Sequence, residues 1–474
     1  MNRPILAKLA GCLGWLSPLA KACVVAGLLI RLGLLAWLVS NGYDPAPQKG
    51  DMIGYDRIAR SILAGRGFSR DGHSPESLRT LGYPYFVAAC YGASGGWRYA
   101  PLLVQCLLST AMVVGIAAVL RSWGVGQAGQ SAGALVWALH PTLIRLSALL
   151  LPDTLFLGCV LLSLWLYGLW LRGPERRPAL GAGLAMGLAG LVKPAALLLM
   201  PGMALAMLLR KPRGSGSALA LLALGFLASL SPNLIRNRIQ FGAWELSSIT
   251  GYNLFYYNAA LAEARATGRS LHEVQAAYEE DQARQAGHLT PFQLSRWQTR
   301  RALAVMSHEP LHAARAWLSG AVQALVVPSR ATWAIVLYGD WPRLDRGISA
   351  ALSRQSEEAA PTGERGESSG WTRLQRLLAV PAALPAVTEF AFLGLLTIVG
   401  IGGLWRASRG GDHAALARGL IVVAALFIAF VGPVGSSRYG LPALPVLSLG
   451  VGLLTARAAE QGEARAEGCT TAAG

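Results

Sequence analysis

Long apolar runs separated by short polar stretches dominate the chain. A helix needs about 20 mostly apolar residues to cross a hydrocarbon core of roughly 30 Å. Runs that meet or approach this length predict about ten spanning helices, at residues 21–40, 99–120, 129–148, 150–171, 179–192, 195–209, 216–232, 383–404, 414–432 and 440–456. The hydrophobic pattern therefore predicts an all-α, polytopic integral membrane fold with additional helices at the membrane surface.

The distribution of positive charge predicts the orientation of these spans. Lys and Arg gather in alternate short loops, as at residues 172–177, and such loops stay in the cytoplasm. The opposite, extracytoplasmic face then receives residues 41–98 and 233–382. We interpret the apolar run 82–96 as a short helix at the outer interface, because counting it as a span would place the basic loop 172–177 outside.

The runs on either side of Lys193 are each too short to span the membrane fully at 1.5 Å per residue. Basic clusters flank their far ends, so we expect a hairpin with Lys193 at its outward apex. The chain then divides into three regions: an N-terminal membrane module at 1–232 with its first outer loop at 41–98, an extracytoplasmic polar and amphipathic region at 233–382 with a flexible loop at 353–370, and C-terminal spans with a cytoplasmic tail at 383–474.

Composition supports the membrane interpretation. The chain has 474 residues, of which 53% are hydrophobic and only 14% are charged, and its mean hydropathy is +0.42. These values exclude an ordinary soluble domain. The net charge of +17 is explained by the cytoplasmic loops, so no nucleic-acid partner is expected. The six cysteines form no Cys-x-x-Cys pair, so neither a zinc site nor a disulfide framework is predicted.

Ionisable side chains gather at the predicted outer face. Asp51 and Tyr55 are four residues apart and share one helix face. Asp153 begins a span, Lys193 lies at the hairpin apex, and Arg438 precedes the last span. Such groups are costly at membrane depth and usually mark a pathway or a site. For Asp51 taken alone, a solvated loop charge is the simpler alternative, and for Asp153 a polar helix cap is equally plausible.

The order of residues in the first outer loop carries a family resemblance. The pattern consists of Asp51, Tyr55, Ala59, Ile62, Gly65, Gly67, Phe68 and Gly82-Tyr83-Pro84. It resembles GT-C-type membrane glycosyltransferases of the protein O-mannosyltransferase and aminoarabinose lipid A transferase kind. Further matches follow in order, at His140-Pro141, Pro152-Asp153, Lys193-Pro194, Pro232-Asn233, Arg236-Asn237 and Arg438-Tyr439. Relatives often have Arg where Lys193 stands, and a lysine keeps the charge but loses bidentate phosphate geometry.

The resemblance implies an inverting transfer of a sugar from a polyprenyl-phosphate donor. The acceptor would be a hydroxyl or phosphate on a lipid, a glycan or a protein, at the periplasmic side of a bacterial inner membrane. Asp51 would be the catalytic base. Membrane lipids would be further partners. The resemblance fixes no cofactor, and a divalent metal beside Asp153 stays open. The substrate-binding residues implied are Tyr55, Arg79, Tyr83, Asp153, Lys193, Arg236 and Arg438.

Two further ionisable patterns fit structural roles better than chemical ones. His308-Glu309-Pro310-Leu311-His312 matches the zinc hydrolase pattern, which needs both histidines on one helical face. Pro310 disfavours a helical conformation at Glu309 and suits the first turn of a new helix. Arg31, in the middle of the first span, is expected to be a packed or snorkelling structural cation.

A transporter or lipid flippase is the alternative function. It would also carry intramembrane charges and a pair of short helices. A transporter, however, places its ion sites near the midplane, between inverted repeats. This chain shows no evident repeat, and its ionisable groups lie at one face, so the pattern favours the enzyme.

Overall fold

The structure is a computed structural model that describes residues 14–46, 50–173, 175–210, 215–329, 383–409 and 437–455, with single positions at 336, 414, 417, 418 and 421. These residues are mostly helical, and among them only the bridge between Ser69 and Pro75 has β character. The predicted all-α fold is confirmed.

The N-terminal helices are α1 (Pro18–Ser40), α2 (Asp51–Leu63), α3 (Gly82–Ala93), α4 (Ala100–Ser122), α5 (Gln127–Leu139), α6 (Pro141–Ser147), α7 (Asp153–Arg172), α8 (Arg177–Val192), α9 (Ala196–Arg210) and α10 (Ser215–Phe241). The following helices are α11 (Ile249–Asn253), a π-helical turn (Leu254–Ala259), α12 (Ala260–Thr267), α13 (Leu271–Ala286), α14 (Pro291–His308), α15 (Pro310–Val326), α16 (Ala383–Ser408) and α17 (Ser437–Gly440). A 3₁₀ turn (Leu441–Ala443) leads into a final helix over 444–455.

Five described helices are long and apolar enough to cross a membrane, namely α1, α4, α7, α10 and α16. The shorter apolar helices α8 and α9 end and begin on either side of Lys193, as the hairpin prediction requires. Helix α3 has 12 residues, too few to span, which agrees with the interfacial interpretation. Most of the predicted span 414–432 and all of the predicted loop 353–370 lie outside the described residues, so the total of about ten spans stays a prediction.

The continuous span predicted at 129–148 is wrong, because the helix breaks at His140. Pro141 has no N–H to donate to the carbonyl of Trp137 four residues earlier, and α6 starts afresh at Pro141. The buried guanidinium of Arg31 donates to the carbonyls at this break in place of the missing backbone N–H. Its Nη2 donates to Trp137 O at 2.9 Å and its Nη1 donates to Ala138 O at 3.0 Å. Arg31 is therefore a structural cation, as expected, and its task is to satisfy carbonyls at a broken helix.

The span predicted to end at 232 continues to Phe241, so this predicted end is also wrong. Pro232 lies inside α10, and the helix continues because two asparagines fasten its extension to the following loop. Asn233 Nδ2 donates to Leu246 O at 2.7 Å, and Asn237 Nδ2 donates to Glu245 O at 2.7 Å. The division of the chain at 232 stays a prediction, although that position falls within one helix.

The segment from α11 to α14 builds a small core of its own. Phe255 stacks on Tyr278 with ring centroids 4.3 Å apart, and Tyr256 and Ala302 are buried beside them. The aromatic run at 252–257 therefore supplies packing to this outer unit.

The residues of the zinc hydrolase pattern are split between helices α14 and α15. Helix α14 ends at His308, and Glu309 has φ −121° and ψ 56°, outside the helical region. His312 belongs to α15, which begins at Pro310. The two histidines therefore do not share one helical face, and within the described residues no cluster of three His, Cys, Asp or Glu side chains could hold a metal ion.

The C-terminal helices are joined to the N-terminal module by a buried ion pair. Glu389 of α16 accepts from Nη1 and Nη2 of Arg145 on α6, and Thr142 Oγ1 also donates to it. Trp137 Nε1 donates to Ser448 Oγ at 2.8 Å on the final helix. These contacts tie α16 and the final helix to the bundle, and Arg438 lies on the short helix that precedes the latter.

Candidate active site

Charged side chains from five segments meet at one end of the bundle. The cluster consists of Asp51 on α2, Arg79 in the first outer loop, Asp153 at the start of α7, Lys193 between α8 and α9, and Arg438 on α17. All five were predicted as site residues. We refer to these five side chains as the charged cluster.

The charged cluster is a continuous chain of ion pairs. Arg79 Nη2 donates to Asp51 Oδ1 at 2.5 Å. Arg438 lies between the two carboxylates, with its Nη1 3.6 Å from Asp51 Oδ2 and its Nε 2.9 Å from Asp153 Oδ2. Lys193 Nζ donates to Asp153 Oδ1 at 2.8 Å. Because Arg438 contacts both acids, it fixes their relative position.

Local backbone features place these side chains. Asp51 is the first residue of α2 and follows Gly50, whose φ of +94° favours glycine. Asp153 likewise lies in the first turn of α7, where the helix dipole stabilises a negative charge. Gly82 allows α3 to approach the end of α8, since a Cβ there would lie 2.7 Å from Leu191 O. Both carboxylates and the Lys193 turn thereby reach the same end of the bundle.

Aromatic rings pack beneath the charged cluster. The Arg79 guanidinium lies 5.1 Å from the Tyr55 ring centroid, and Tyr55 meets Tyr83 edge to face at 4.8 Å. The Tyr83 hydroxyl donates to Gln105 Oε1 at 2.7 Å. Tyr55 thus contacts the charged cluster through Arg79, and Tyr83 packs on Tyr55; a substrate-binding role for either ring stays a prediction. Gln105, which accepts from the Tyr83 hydroxyl, was missed, although an amide side chain in the apolar run 99–120 was a local signal for it.

Lys193 also faces two aromatic rings that the sequence analysis did not assign to the site. Its Nζ lies 5.7 Å from the ring centroid of Phe156 and 5.7 Å from that of Tyr439. Phe156 is three residues after Asp153 and Tyr439 follows Arg438, so each ring is carried by a segment that also brings a charge. The Lys193 ammonium is therefore held by one carboxylate and two ring faces.

Arg236 is placed differently from the other predicted cations. Its Nη2 donates to Glu76 O at 2.6 Å, its Nη1 donates to Asn237 Oδ1 at 2.9 Å, and its guanidinium lies 4.6 Å from the Phe68 ring centroid. These contacts fasten the first outer loop to α10. The structure does not bring Arg236 into the charged cluster, and a phosphate-binding role for it stays a prediction.

The two carboxylates differ in accessibility. The side chain of Asp51 is 39% exposed, whereas that of Asp153 is 1% exposed. Asp51 is therefore the carboxylate that a substrate can reach, and Asp153 is the buried anion that holds Lys193 and Arg438. The prediction of different roles for the two acids is consistent with this geometry.

The charges in the cluster determine the protonation of Asp51 and Tyr55. Burial raises the pKa of the Asp51 carboxyl, but the positive charges of Arg79 and Arg438 outweigh burial and bring this pKa below its usual value. Burial raises the pKa of Tyr55 to about 12. Near neutral pH, Asp51 is an anion and Tyr55 is a neutral phenol.

The cluster fits an anionic ligand better than a divalent cation. It contains three cationic side chains and two carboxylates, an excess of one positive charge. Each carboxylate oxygen of Asp51 and Asp153 already faces a guanidinium or ammonium group. A metal ion would have to displace these cations from the carboxylates, whereas a phosphate would bind to the cations themselves.

A family model described as dolichyl-phosphate-mannose-protein mannosyltransferase matches residues 79–235. The matched segment begins at Arg79 and includes Tyr83, Asp153 and Lys193. This match covers about a third of the chain, and over these residues the chain is similar to GT-C-type glycosyltransferases. The expected resemblance to GT-C-type glycosyltransferases is thus confirmed for the part of the chain that contributes three of the five charges in the cluster.

Two solved structures resemble this chain at low identity, and both are crystal structures of the Archaeoglobus fulgidus oligosaccharyltransferase. The apo form has a TM-score of 0.48 and 13% identity, covering 92% of this chain and 50% of that one. The form tethered to an acceptor peptide containing the NVT sequon has a TM-score of 0.45 and 12% identity, covering 92% and 49%. The chain spans about half the length of these proteins. No curated protein matches it significantly.

Proposed function

We propose that this protein is a membrane glycosyltransferase that transfers a sugar from a polyprenyl-phosphate donor to an acceptor hydroxyl, with inversion at the anomeric carbon. The observation that carries the proposal is the position of Asp51. It is a reachable, ionised carboxylate that contacts Arg79 and Arg438 at the end of a membrane bundle. A carboxylate to take a proton and cations to stabilise a departing phosphate are the groups that this reaction needs.

The proposed step balances without a second catalytic acid. The acceptor oxygen forms a bond to the anomeric carbon of the donor sugar while its proton passes to the Asp51 carboxylate. The bond between the anomeric carbon and the phosphate oxygen breaks, and its electron pair leaves with the polyprenyl phosphate. A phosphate leaves as a stable anion, so no protonation of the leaving group is required.

Arg438 and Lys193 are the groups proposed to stabilise that anion. Both are anchored through Asp153, which holds Arg438 Nε at 2.9 Å and Lys193 Nζ at 2.8 Å. Cations fixed before the reaction cost little reorganisation when charge develops on the phosphate. We therefore assign Asp153 to positioning these cations rather than to proton transfer.

The donor phosphate also activates the base in this account. In the absence of donor, Arg79 and Arg438 bind Asp51 and lower its basicity. An incoming phosphate competes for the same guanidinium groups, which weakens their hold on Asp51 and raises its pKa. The carboxylate thereby becomes a stronger base once the donor is bound.

The charged cluster faces the extracytoplasmic side of a bacterial inner membrane in this proposal, because the basic loops between the spans remain in the cytoplasm. There a lipid-linked sugar and an acceptor on a lipid, a glycan or a protein can meet. Arg79 is proposed to contact the donor, and the buried rings of Tyr55 and Tyr83 support Arg79 from beneath.

The helix break at His140-Pro141 does not favour a transporter or flippase. Discontinuous helices in transporters leave backbone groups that bind the substrate or ions. Here Arg31 binds the carbonyls of Trp137 and Ala138 on the N-terminal side of this break, so these groups are not available to a transported ligand.

The function is tested with the full-length protein in liposomes that contain a radiolabelled polyprenyl-phosphate sugar, assayed with several sugars in turn. The account predicts transfer of label to an added membrane extract that supplies acceptors. Movement of the labelled lipid between leaflets without any acceptor, and no transfer with any sugar, would instead support the flippase.

A further inference from the structure

A cavity of about 770 Å³ lies between the Lys193 hairpin and the outer helices. Pro194 and Leu197 form its side toward the hairpin. The opposite wall comes from α14 and consists of Ser295, Arg296, Thr299 and Arg300. The volume lies within the range of about 300–1,000 Å³ that is typical of small-molecule sites, and the cavity is therefore large enough for a sugar-sized ligand.

The wall formed by α14 is positively charged. Arg296 and Arg300 are four residues apart, so they lie on the same helix face. Arg296 Nε is 3.2 Å from Glu245 Oε1, a carboxylate that also lines the cavity. Arg300 forms no ion pair within the part of the chain that the structure describes. The cavity thus has an excess of positive charge, and guanidinium groups fit phosphate and carboxylate oxygens.

The walls of the cavity are fastened to each other and to the first outer loop. Ser247 Oγ donates to Leu78 O at 2.7 Å, and Gly251 N donates to Ser295 Oγ at 3.2 Å. A Cβ at Gly251 would lie only 2.1 Å from Ser295 O, so α11 and α14 are in backbone contact there. A cavity built in this way keeps its shape before a ligand arrives, which reduces the entropy cost of binding.

The cavity begins one residue away from the charged cluster. Pro194 directly follows Lys193, whose ammonium holds Asp153. We infer that the cavity is the acceptor site, and that the acceptor carries an anionic group which Arg296 and Arg300 bind. The inference rests on the proposed function, in which the donor phosphate occupies the charged cluster and the acceptor hydroxyl must approach Asp51 from an adjoining space.

The anion site is tested by binding to the full-length protein in nanodiscs of neutral phosphatidylcholine. The probe is radiolabelled glucose 1-phosphate, and excess polyprenyl phosphate is present to fill the charged cluster. Wild type is expected to bind the probe saturably, and R296Q/R300Q is expected to lose at least about tenfold in affinity. R301Q is the matched control, because Arg301 lies on the same helix but pairs with Asp281 at 2.8 Å.

A gain of binding separates a specific site from a folding defect. Glu245→Gln removes the carboxylate that competes for Arg296, so this variant should bind the probe more tightly than wild type, by about two- to threefold. Binding by R296Q/R300Q that equals wild type would overturn the inference. An equal loss in R301Q would also overturn it, because general surface charge would then explain the binding.

Two further measurements identify the source of the anion and distinguish a failure of the anion site from a failure of the proposed glycosyltransferase function. If phosphatidylglycerol added to the nanodiscs competes with the probe, the site takes a lipid headgroup; if it does not, the site takes an anionic glycan. Specific binding without sugar transfer by wild type would overturn the proposed function and leave the anion site. Sugar transfer with wild-type binding in R296Q/R300Q would overturn only the anion site.

Discussion

Arg438 contacts both Asp51, at 3.6 Å, and Asp153, at 2.9 Å, and thereby joins two segments that are more than 100 residues apart. One of these acids is exposed to substrate and the other is buried. The guanidinium therefore links the proposed base to the anchor of the proposed phosphate site. A lysine at this position keeps the charge but has no planar fork with which to reach both carboxylates.

Arg438→Lys should lower kcat by about 10²-fold, the usual effect of removing one fixed donor for a developing negative charge. The variant keeps a cation next to Asp153, so it should still fold. Steady-state kinetics with a labelled donor would measure the effect. Arg98→Lys is the matched control, since Arg98 pairs with the exposed Asp44 outside the cluster; a similar loss in both variants would contradict the assignment.

Lys193→Arg should retain most activity, whereas Lys193→Gln should raise the KM for the donor by at least about tenfold. The arginine keeps the charge that Asp153 holds and adds a fork suited to phosphate. The glutamine removes one of the two cations that compensate the buried Asp153, so its unfolding temperature should also fall. Equal donor KM values for wild type and both variants would show that Lys193 does not bind the donor.

The pH dependence should differ between free and donor-bound enzyme. Asp51 has a lowered pKa in the free protein, so kcat/KM for the donor should stay flat as the pH falls from about 8 to about 5. Donor binding raises that pKa in our account, so the acid limb of kcat should lie at higher pH than that of kcat/KM. Coincident acid limbs in the two profiles would contradict the proposed competition for Arg79 and Arg438.

The lowered pKa of Asp51 also makes the stability of the fold depend on pH. The unfolded Asp51 titrates near pH 3.9 and the folded one at lower pH. Its ion pairs therefore stabilise the fold fully above about pH 3.9, and this stabilisation is lost as the pH falls through the folded pKa. The unfolding temperatures of wild type and Asp51→Asn should converge as acid is added. A constant difference down to about pH 2 would be inconsistent with a lowered pKa.

Arg31→Met should destabilise the fold by about 2–4 kcal/mol, because two buried carbonyls at the helix break lose their donors. Pro141→Ala restores an N–H that can donate to Trp137 O, so the double variant should recover part of the loss. Thermal unfolding of wild type, Arg31→Met, Pro141→Ala and the double variant in one detergent completes the double-mutant cycle. Additive effects would show that Arg31 does not replace the bond that Pro141 removes.

Much of the membrane fold was predictable because hydrophobic periodicity is a local property of the chain. The five long helices, the break between α8 and α9 at Lys193 and the short helix α3 each follow from apolar run length and flanking charge, while the interfacial position of α3 stays a prediction. The break at His140 was not predicted, although Pro141 was its local signal. The continuation of α10 through Pro232 was missed because it depends on asparagine contacts with a loop that comes later in the chain.

The members of the charged cluster were predictable from the sequence, but the ion pairs that connect them were not. Asp51, Asp153, Lys193 and Arg438 stand out as charges next to apolar runs, but no local pattern shows that Arg438 joins the two acids. Arg236 has the same sequence character as Arg438 and yet binds the Glu76 carbonyl. The arginines of the cavity lie on a polar helix where a charged residue is ordinary, so only the tertiary structure reveals the space that they face.

The most direct test of the central claim compares wild type, Asp51→Asn and Asp44→Asn for sugar transfer from a labelled polyprenyl-phosphate donor in matched membranes. Asp44 is the matched control, being an exposed aspartate before α2 that pairs with Arg98. The account predicts that Asp51→Asn abolishes transfer while donor binding persists, and that Asp44→Asn transfers at the wild-type rate. Transfer by Asp51→Asn at the wild-type rate would contradict the assignment of Asp51 as the base.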